Sequence, residues 1–470
     1  MRTNPLTPVA GTPVERRVLM RRSMRGSTFE GIFAMPLVYL NLPANLVVAA
    51  LLSEGLKLPP DVYGLLVSLP FWCNLLQLAI APALFGRFRA RDIFLVNIWL
   101  NIAGWIGFAA ALGFAADFVR ANAAVVAGGF IFFCGQTTAI MSVAWTTYTQ
   151  SWVPGRIRAV YFSQRNRWCQ FSNLAFLLLA GAVLGRPSLP VFGAVIAVSC
   201  VFRIISAIYA HKTPAEGDPV PETAVSWTDQ WARLRGQTMF WRMVFFGMCW
   251  GAVLNGFGAF QPVFMLSSLT ESAQQASWPL SLSLLFGAMA LPAWGRLIER
   301  FGARPVLLVG VPLWALASVP WLFVTRETHW LLFLVWALTG AINAGIVLAQ
   351  LNLLMKLMPA GAKGFAVGCN IAAAALGTAL APIFAGQLLT WALAGVWETD
   401  TVYHVFFAFM PLCAGMTLML LRRVKEPRSA PVEHVVGALR NVRMLAGTLG
   451  LGFLAQALFT PRGKGQKSEW

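Results

Sequence analysis

The sequence predicts an all-α membrane protein whose twelve transmembrane helices form two pseudo-symmetric six-helix bundles. Three observations carry this expectation. The 470 residues are 58% hydrophobic and 11% charged, with a mean hydropathy of +0.66, far more apolar material than a water-soluble domain carries. The apolar residues fall in runs of about 20 or more, the length that a helix rising about 1.5 Å per residue needs to cross the hydrocarbon layer. Polar phrases also recur at near-constant offsets in the two halves of the chain, as in a duplicated architecture.

Residues 1–29 are polar and rich in arginine (Arg2, Arg16, Arg17, Arg21, Arg22, Arg25), with no apolar h-region and no cleavage site, so they read as a cytoplasmic tail rather than a signal peptide. Six apolar runs follow, near 30–54, 61–85, 93–115, 121–148, 161–185 and 189–210, and the short links between them require consecutive helices to be antiparallel neighbours. Pro36, Pro43, Pro70 and Pro82 interrupt the first two, leaving carbonyls for neighbouring helices or water to satisfy. Residues 211–237 form the longest internal polar segment. Trp227, Trp231 and Leu234 share a helical face there, as expected of a helix on the cytoplasmic membrane surface. This linker separates an N-terminal bundle, 30–210, from a C-terminal bundle, 238–421, with runs near 239–268, 274–294, 305–325, 329–357, 364–394 and 401–421. Twelve crossings place both termini in the cytoplasm. Residues 422–470 read as a cytoplasmic tail with an amphipathic helix, since Val432, Val435, Val436, Leu439 and Val442 recur at helical spacing opposite Arg440 and Arg443. The apolar, Gly-rich piece 445–459 is short for a span; a surface segment, a re-entrant segment and a thirteenth span all stay open.

The net charge of +18 raises two classes of partner, nucleic acid and anionic membrane. Most of the Lys and Arg fall on segments that the alternation puts in the cytoplasm, which is the positive-inside bias, and no nucleic-acid module is legible. Anionic headgroups at the cytoplasmic face are the expected contact. The seven cysteines and four histidines are scattered, without disulfide or metal spacing, and no cofactor or metal is expected. Nucleophile–base pairs and phosphate loops are not legible either, so an enzyme is not expected.

One polar turn stands between two apolar runs: Gly295-Arg296-Leu297-Ile298-Glu299-Arg300-Phe301-Gly302-Ala303-Arg304-Pro305. A weaker copy lies 213 residues earlier, where Gly86-Arg87-Phe88-Arg89-Ala90-Arg91-Asp92 aligns with Glu299 through Pro305. A second pair, Pro154 through Ala159 against Pro359 through Gly364, has the same Pro-x-x-x-basic-small pattern at an offset of 205. The turn resembles the cytoplasmic loop motif of the major facilitator superfamily. Gly295, Glu299, Arg300, Gly302 and Arg304 match, with Glu in place of the usual Asp and Ala303 where the first basic residue belongs; Gly86 replaces the acid in the first copy. The resemblance covers roughly residues 30 to 425 and implies two six-helix halves that rock about a central site. In that role Glu299, Arg300 and Arg304, with Arg87, Arg91 and Asp92 in the first copy, would clamp neighbouring helices in one state, and the glycines would permit the turn. A loop that only fixes topology is the competing reading.

The resemblance also implies a cavity lined by helices 1, 4, 7 and 10. Polar and aromatic residues there are Asn41 and Asn45 in span 1, Gln136, Trp145 and Tyr148 in span 4, Trp250 and Asn255 in span 7, and Asn343 and Gln350 in span 10. Carboxamides are costly against lipid, so they should face a solute or bond neighbouring helices, and both remain open. None of the 18 acids falls at the centre of a span, with Glu30 and Asp92 at helix ends, so no buried proton carrier is expected. Arg165 and Arg167 read as gating partners or lipid headgroup contacts, and their depth, about one turn inside span 5, favours surface anchoring. The resulting expectation is a monomeric secondary carrier in a bacterial cytoplasmic membrane, moving a small polar solute such as a sugar or glycoside by alternating access. The alternatives are an exporter of amphiphilic drugs or metabolites and a non-transporting membrane scaffold.

Overall fold

A computed structural model of the chain describes residues 13–451 except 43–44, 86, 154, 186–187, 214–226, 270, 360–362 and 427–428. Gly86, Pro154, Gly361, most of the linker and residues 452–459 therefore lie outside the described residues. Among those described, regular structure is entirely helical. The first half contains α1 (Pro13–Leu40), α2 (Leu46–Ala50) continued by a π-helical turn over Leu51–Gly55, α3 (Pro60–Phe85), α4 (Ala90–Phe114), short α5 (Ala116–Ala121), α6 (Ala123–Trp152), α7 (Gly155–Val183) and α8 (Leu189–His211). Then come α9 (Trp227–Arg235), α10 (Thr238–Gly258), α11 (Gln261–Ser267), α12 (Ala273–Phe301), α13 (Ala303–Ser318) with a 3-10 turn, α14 (Leu331–Leu357), α15 (Lys363–Leu393), α16 (Thr399–Arg422), α17 (Val432–Leu439) and α18 (Val442–Thr448).

Ten helical segments among the described residues are long and apolar enough to cross a membrane, and each matches an apolar run expected from sequence. The other two runs are formed differently. Span 1 is broken: α1 ends at Leu40, and Asn45 restarts the helix as its N-cap by accepting the Val48 amide at 2.9 Å. Span 5 lies within α7, whose 29 residues carry four arginines and a polar first half. Two boundaries differ from expectation. Helix α1 begins at Pro13, because Glu15 through Arg25 are good helix formers behind a proline in the first turn, so much of the expected tail continues span 1 as one helix. The two surface helices dock on protein rather than standing free. Trp231 of α9 meets Phe365 of α15 edge to face at 6.3 Å and Leu234 is fully buried, while α17 packs on α13 with Val435 buried.

The chain folds into two compact units. The first comprises Met1–Gly236, Met248–Ser277 and Gly361–Tyr403. In it α1 packs on α7 and α8, α4 on α6 and α8, and α3 on both α6 and α15. The α3–α15 contact depends on glycine: a Cβ on Gly64 would strike the Pro382 carbonyl, and one on Gly386 the Pro60 carbonyl. Polar bonds fasten the same end, from Tyr63 Oη to Ala259 O at 2.7 Å and from the Asp61 amide to Thr390 Oγ1 at 3.0 Å.

The second unit comprises Gln237–Gly247, Trp278–Ala360 and His404–Trp470. Helices α13 and α14 pack together. Trp294 lies against Gly345, where a side chain would collide with the indole, and donates to Ala341 O at 2.9 Å. Trp321 anchors the far end between Trp336 and Phe407.

Candidate functional site: a polar knot, a buried charge cluster and a clasped turn

The break in span 1 leaves Asn41 outside regular helix with its carboxamide pointing at α4 and α6. Asn41 Oδ1 accepts from Thr138 Oγ1 at 2.9 Å and from Trp105 Nε1 at 3.1 Å, and its Nδ2 donates to Leu37 O at 2.8 Å. Asn101 of α4 completes the knot. Its Nδ2 lies 2.9 Å from both Cys134 O and Thr137 Oγ1 and 3.0 Å from Thr138 Oγ1. The Cys134 carbonyl can only accept, which fixes the amide orientation and leaves Asn101 Oδ1 buried without a donor among the described residues. All of these residues lie near the middle of their spans. A small pocket opens beside them, lined by Asn41, Leu42, Val48, Leu66, Pro70 and Trp105 among others. Gln136, on the same helix as Thr138, has both amide atoms buried without partners among the described residues. Such orphaned groups are uncommon in native interiors, and where they cluster they mark a place built to meet a ligand or water.

A second polar group sits in the same unit. Glu30 is only 4% exposed and bonds Arg165 at 2.8 Å and Arg203 at 3.4 Å. Arg165 also donates to Ser27 O at 3.1 Å, and its guanidinium lies 4.6 Å from the centre of the Trp145 ring. Gly31 makes this approach possible, since a Cβ there would come within 2.6 Å of Arg165 Nη2. This corrects two expectations. Glu30 is a buried carboxylate inside α1 rather than a helix-end residue, because the helix starts 17 residues before it. Arg165 is an internal partner rather than a headgroup anchor, because α7 starts at Gly155 and carries it ten residues in. Arg203 completes the cluster, and its sequence signal is plain: an arginine inside an otherwise apolar span, eight residues or about 12 Å before the end of α8.

The turn between α12 and α13, in the second unit, is clasped by an acid other than the expected one. Glu426, beyond α16, accepts from the backbone amides of Ala303 at 3.3 Å and Arg304 at 2.7 Å, capping α13, and receives Lys356 Nζ at 2.7 Å. Its side chain is 1% exposed. Arg304 Nη2 donates to Arg422 O at 3.3 Å. Glu299, by contrast, is exposed near the end of α12 and has no salt bridge among the described residues. Arg300 is exposed too, over the Phe301 ring at 5.0 Å. Gly302 is the turn glycine, with φ +96°, whereas Gly295 lies inside α12 with open space around it and makes no turn. In the first copy Arg91 donates to His211 O at 2.9 Å, and Arg87 and Asp92 are exposed.

The other candidates are dispersed. Asn45 is consumed as the α2 cap and, across the break, shares no helical face with Asn41. Trp145 carries Arg165, and Tyr148 Oη donates to Thr213 Oγ1 at 2.7 Å near the end of α6. Trp250 is 2% exposed on α10. Asn255 Nδ2 donates to Gly251 O at 2.9 Å within its own helix. In the second unit Asn343 has a buried Oδ1 without a partner among the described residues, and Gln350 is half-buried on the same helix.

Residues 256–461 match the family model described as Major Facilitator Superfamily. The multi-drug resistance efflux pump PmrA of Streptococcus pneumoniae is 23% identical over 229 residues, 46% of this chain and 54% of the pump. The multidrug resistance protein MdtG of Citrobacter koseri is 28% identical over 169 residues, 35% of this chain and 40% of that protein. The chain thus spans about half the length of these curated relatives, or less. Among solved structures a mutant of the nucleoside transporter NupG superposes with a TM-score of 0.69 at 13% identity, covering 86% of this chain and all of that one. Ten membrane-length helices and this superposition agree on the fold, and residues 256–461 are similar to the Major Facilitator Superfamily.

Proposed function

We propose that the chain is a secondary transporter of a small polar solute, a sugar, glycoside or nucleoside, that works by alternating access in a bacterial cytoplasmic membrane. The chain crosses the membrane twelve times, with spans 1 and 5 formed by the broken α1–α2 segment and by α7, and both termini are cytoplasmic. Its halves are 30–210 and 238–421. The observation that carries the reading is the knot at the span 1 break. Asn41, Asn101, Thr138 and Trp105 bring two amides, a hydroxyl and an indole together at mid-span, where Asn41 and Trp105 line a pocket. Asn101 Oδ1 and the Gln136 amide want partners that a polyol supplies through hydroxyls, while the Trp105 face offers a stacking surface.

The test is a thermal-shift screen of the purified chain against sugars, nucleosides, amino acids and amphiphilic cations, repeated in Asn101→Leu and Gln136→Leu. A stabilising polyol whose effect disappears in either variant supports the reading. Stabilisation by amphiphilic cations alone, unchanged in both, supports the second reading, drug export, which the sequence likeness to two multidrug resistance proteins favours.

A further inference from the structure

Glu30, Arg165 and Arg203 carry two positive charges and one negative, each residue at most 7% exposed, on three helices of one compact unit. Glu30 Oε2 is well used by Arg165 at 2.8 Å, whereas Oε1 meets Arg203 at a long 3.4 Å. The remaining partners of Arg203 are neutral: Ser206 Oγ at 3.0 Å and the Met141 thioether at 2.9 Å, a weak acceptor. Ser206 also shares Glu30 Oε1 at 3.4 Å. Among the described residues neither arginine has a second carboxylate.

A guanidinium cannot shed its proton to escape a low dielectric, so the surplus charge calls for a counter-anion. One arginine would already balance the single carboxylate, so the second guanidinium is the surplus. We propose that this cluster is a binding site for an oxyanion, a carboxylate or phosphate group, held on the Arg203 side beside Glu30. The Arg203 guanidinium, in planar two-point contact, and the Ser206 hydroxyl are its donors. Glu30 is then the internal competitor, occupying part of the donor set whenever the anion is away. The site is distinct from the polar knot and holds whether or not that knot takes a solute. The anion has two possible sources, a lipid headgroup phosphate or a free anion, and they share this chemistry.

The test uses the full chain in nanodiscs of neutral phosphatidylcholine, titrated with sodium phosphate or sodium acetate at constant ionic strength, with the unfolding midpoint as readout. The expected result is a saturable rise that is absent in Arg203→Met and retained in weaker form in Arg203→Lys. In Glu30→Gln, where the competitor is gone, half-saturation should come at about tenfold lower concentration or less. A rise produced by phosphatidylglycerol but by neither free anion, and again lost in Arg203→Met, identifies the headgroup as the source. No response to phosphate, acetate or phosphatidylglycerol in the wild type overturns the proposal. So does an undiminished response in Arg203→Met, or a Glu30→Gln protein whose apparent affinity is unchanged or weaker.

Discussion

Replacing Glu426 by Ala should loosen the α12–α13 turn more than any change to the residues of the turn's own motif. The Glu426 carboxylate holds two backbone amides at the start of α13, and a bond to a charged acceptor contributes about 1.5–3 kcal/mol. An anion at a helix start adds about 0.3–1 kcal/mol. Lys356 is half-exposed, so its 2.7 Å ion pair is discounted to under about 1 kcal/mol. Because these contributions share one carboxylate they do not add fully, and about 3 kcal/mol is expected for Glu426→Ala, most of it from the backbone amides. Glu426→Gln keeps one acceptor oxygen and should cost about half as much, and Lys356→Met less than about 1 kcal/mol. Global unfolding of a multi-unit membrane chain is not two-state, so the measurement should be local. Hydrogen exchange at the Ala303 and Arg304 amides should accelerate about a hundredfold in Glu426→Ala and under about fivefold in Lys356→Met. Exchange within about twofold of wild type in Glu426→Ala, or equal effects of the two substitutions, would refute the reasoning.

Glu299→Gln should leave exchange at the same amides unchanged, because Glu299 is exposed and has no salt bridge among the described residues; an effect as large as that of Glu426→Ala would restore Glu299 as the clamp. Asn45→Ala should cost about 1 kcal/mol through loss of the α2 cap, read as faster exchange of the Val48 amide. Gly386→Val places a side chain against the Pro60 carbonyl and should destabilise the α3–α15 contact by about 1–3 kcal/mol, raising the reactivity of a cysteine probe at Leu65; unchanged reactivity would deny that contact its role. Single cysteines at 5 and 465 should label only from the cytoplasm and those at Arg120 and Glu327 only from outside, in a background without native cysteines; external labelling at 5 or 465 would overturn the topology.

The elements themselves were legible because their causes are local. An apolar run long enough to span is a property of consecutive residues, so ten spans stand where the hydropathy places them. Asn45 caps α2 through its own side chain, and Gly302 turns the chain because its own backbone adopts positive φ. The family motif was legible too, yet the role assigned to its acid was not. Glu426, 122 and 123 residues from the amides it caps, lies where Glu299 was expected to act. Likewise Arg203 and Glu30 are 173 residues apart, and Asn101, on a helix outside the four that the family resemblance places around a cavity, joins the knot only because α4 lies against α6.

Hydropathy and turn chemistry are set by a residue and its near neighbours, so the sequence by itself determined where the ten long apolar helices among the described residues lie. The partner of a buried charge or amide depends instead on which helices abut, at what depth and in which rotation. Those are fixed by glycine contacts such as Gly64 on Pro382 and Gly31 beside Arg165, between residues with no common periodicity. Only the tertiary structure could therefore decide that one carboxylate would meet two arginines, and that the turn would be held from beyond the last long helix.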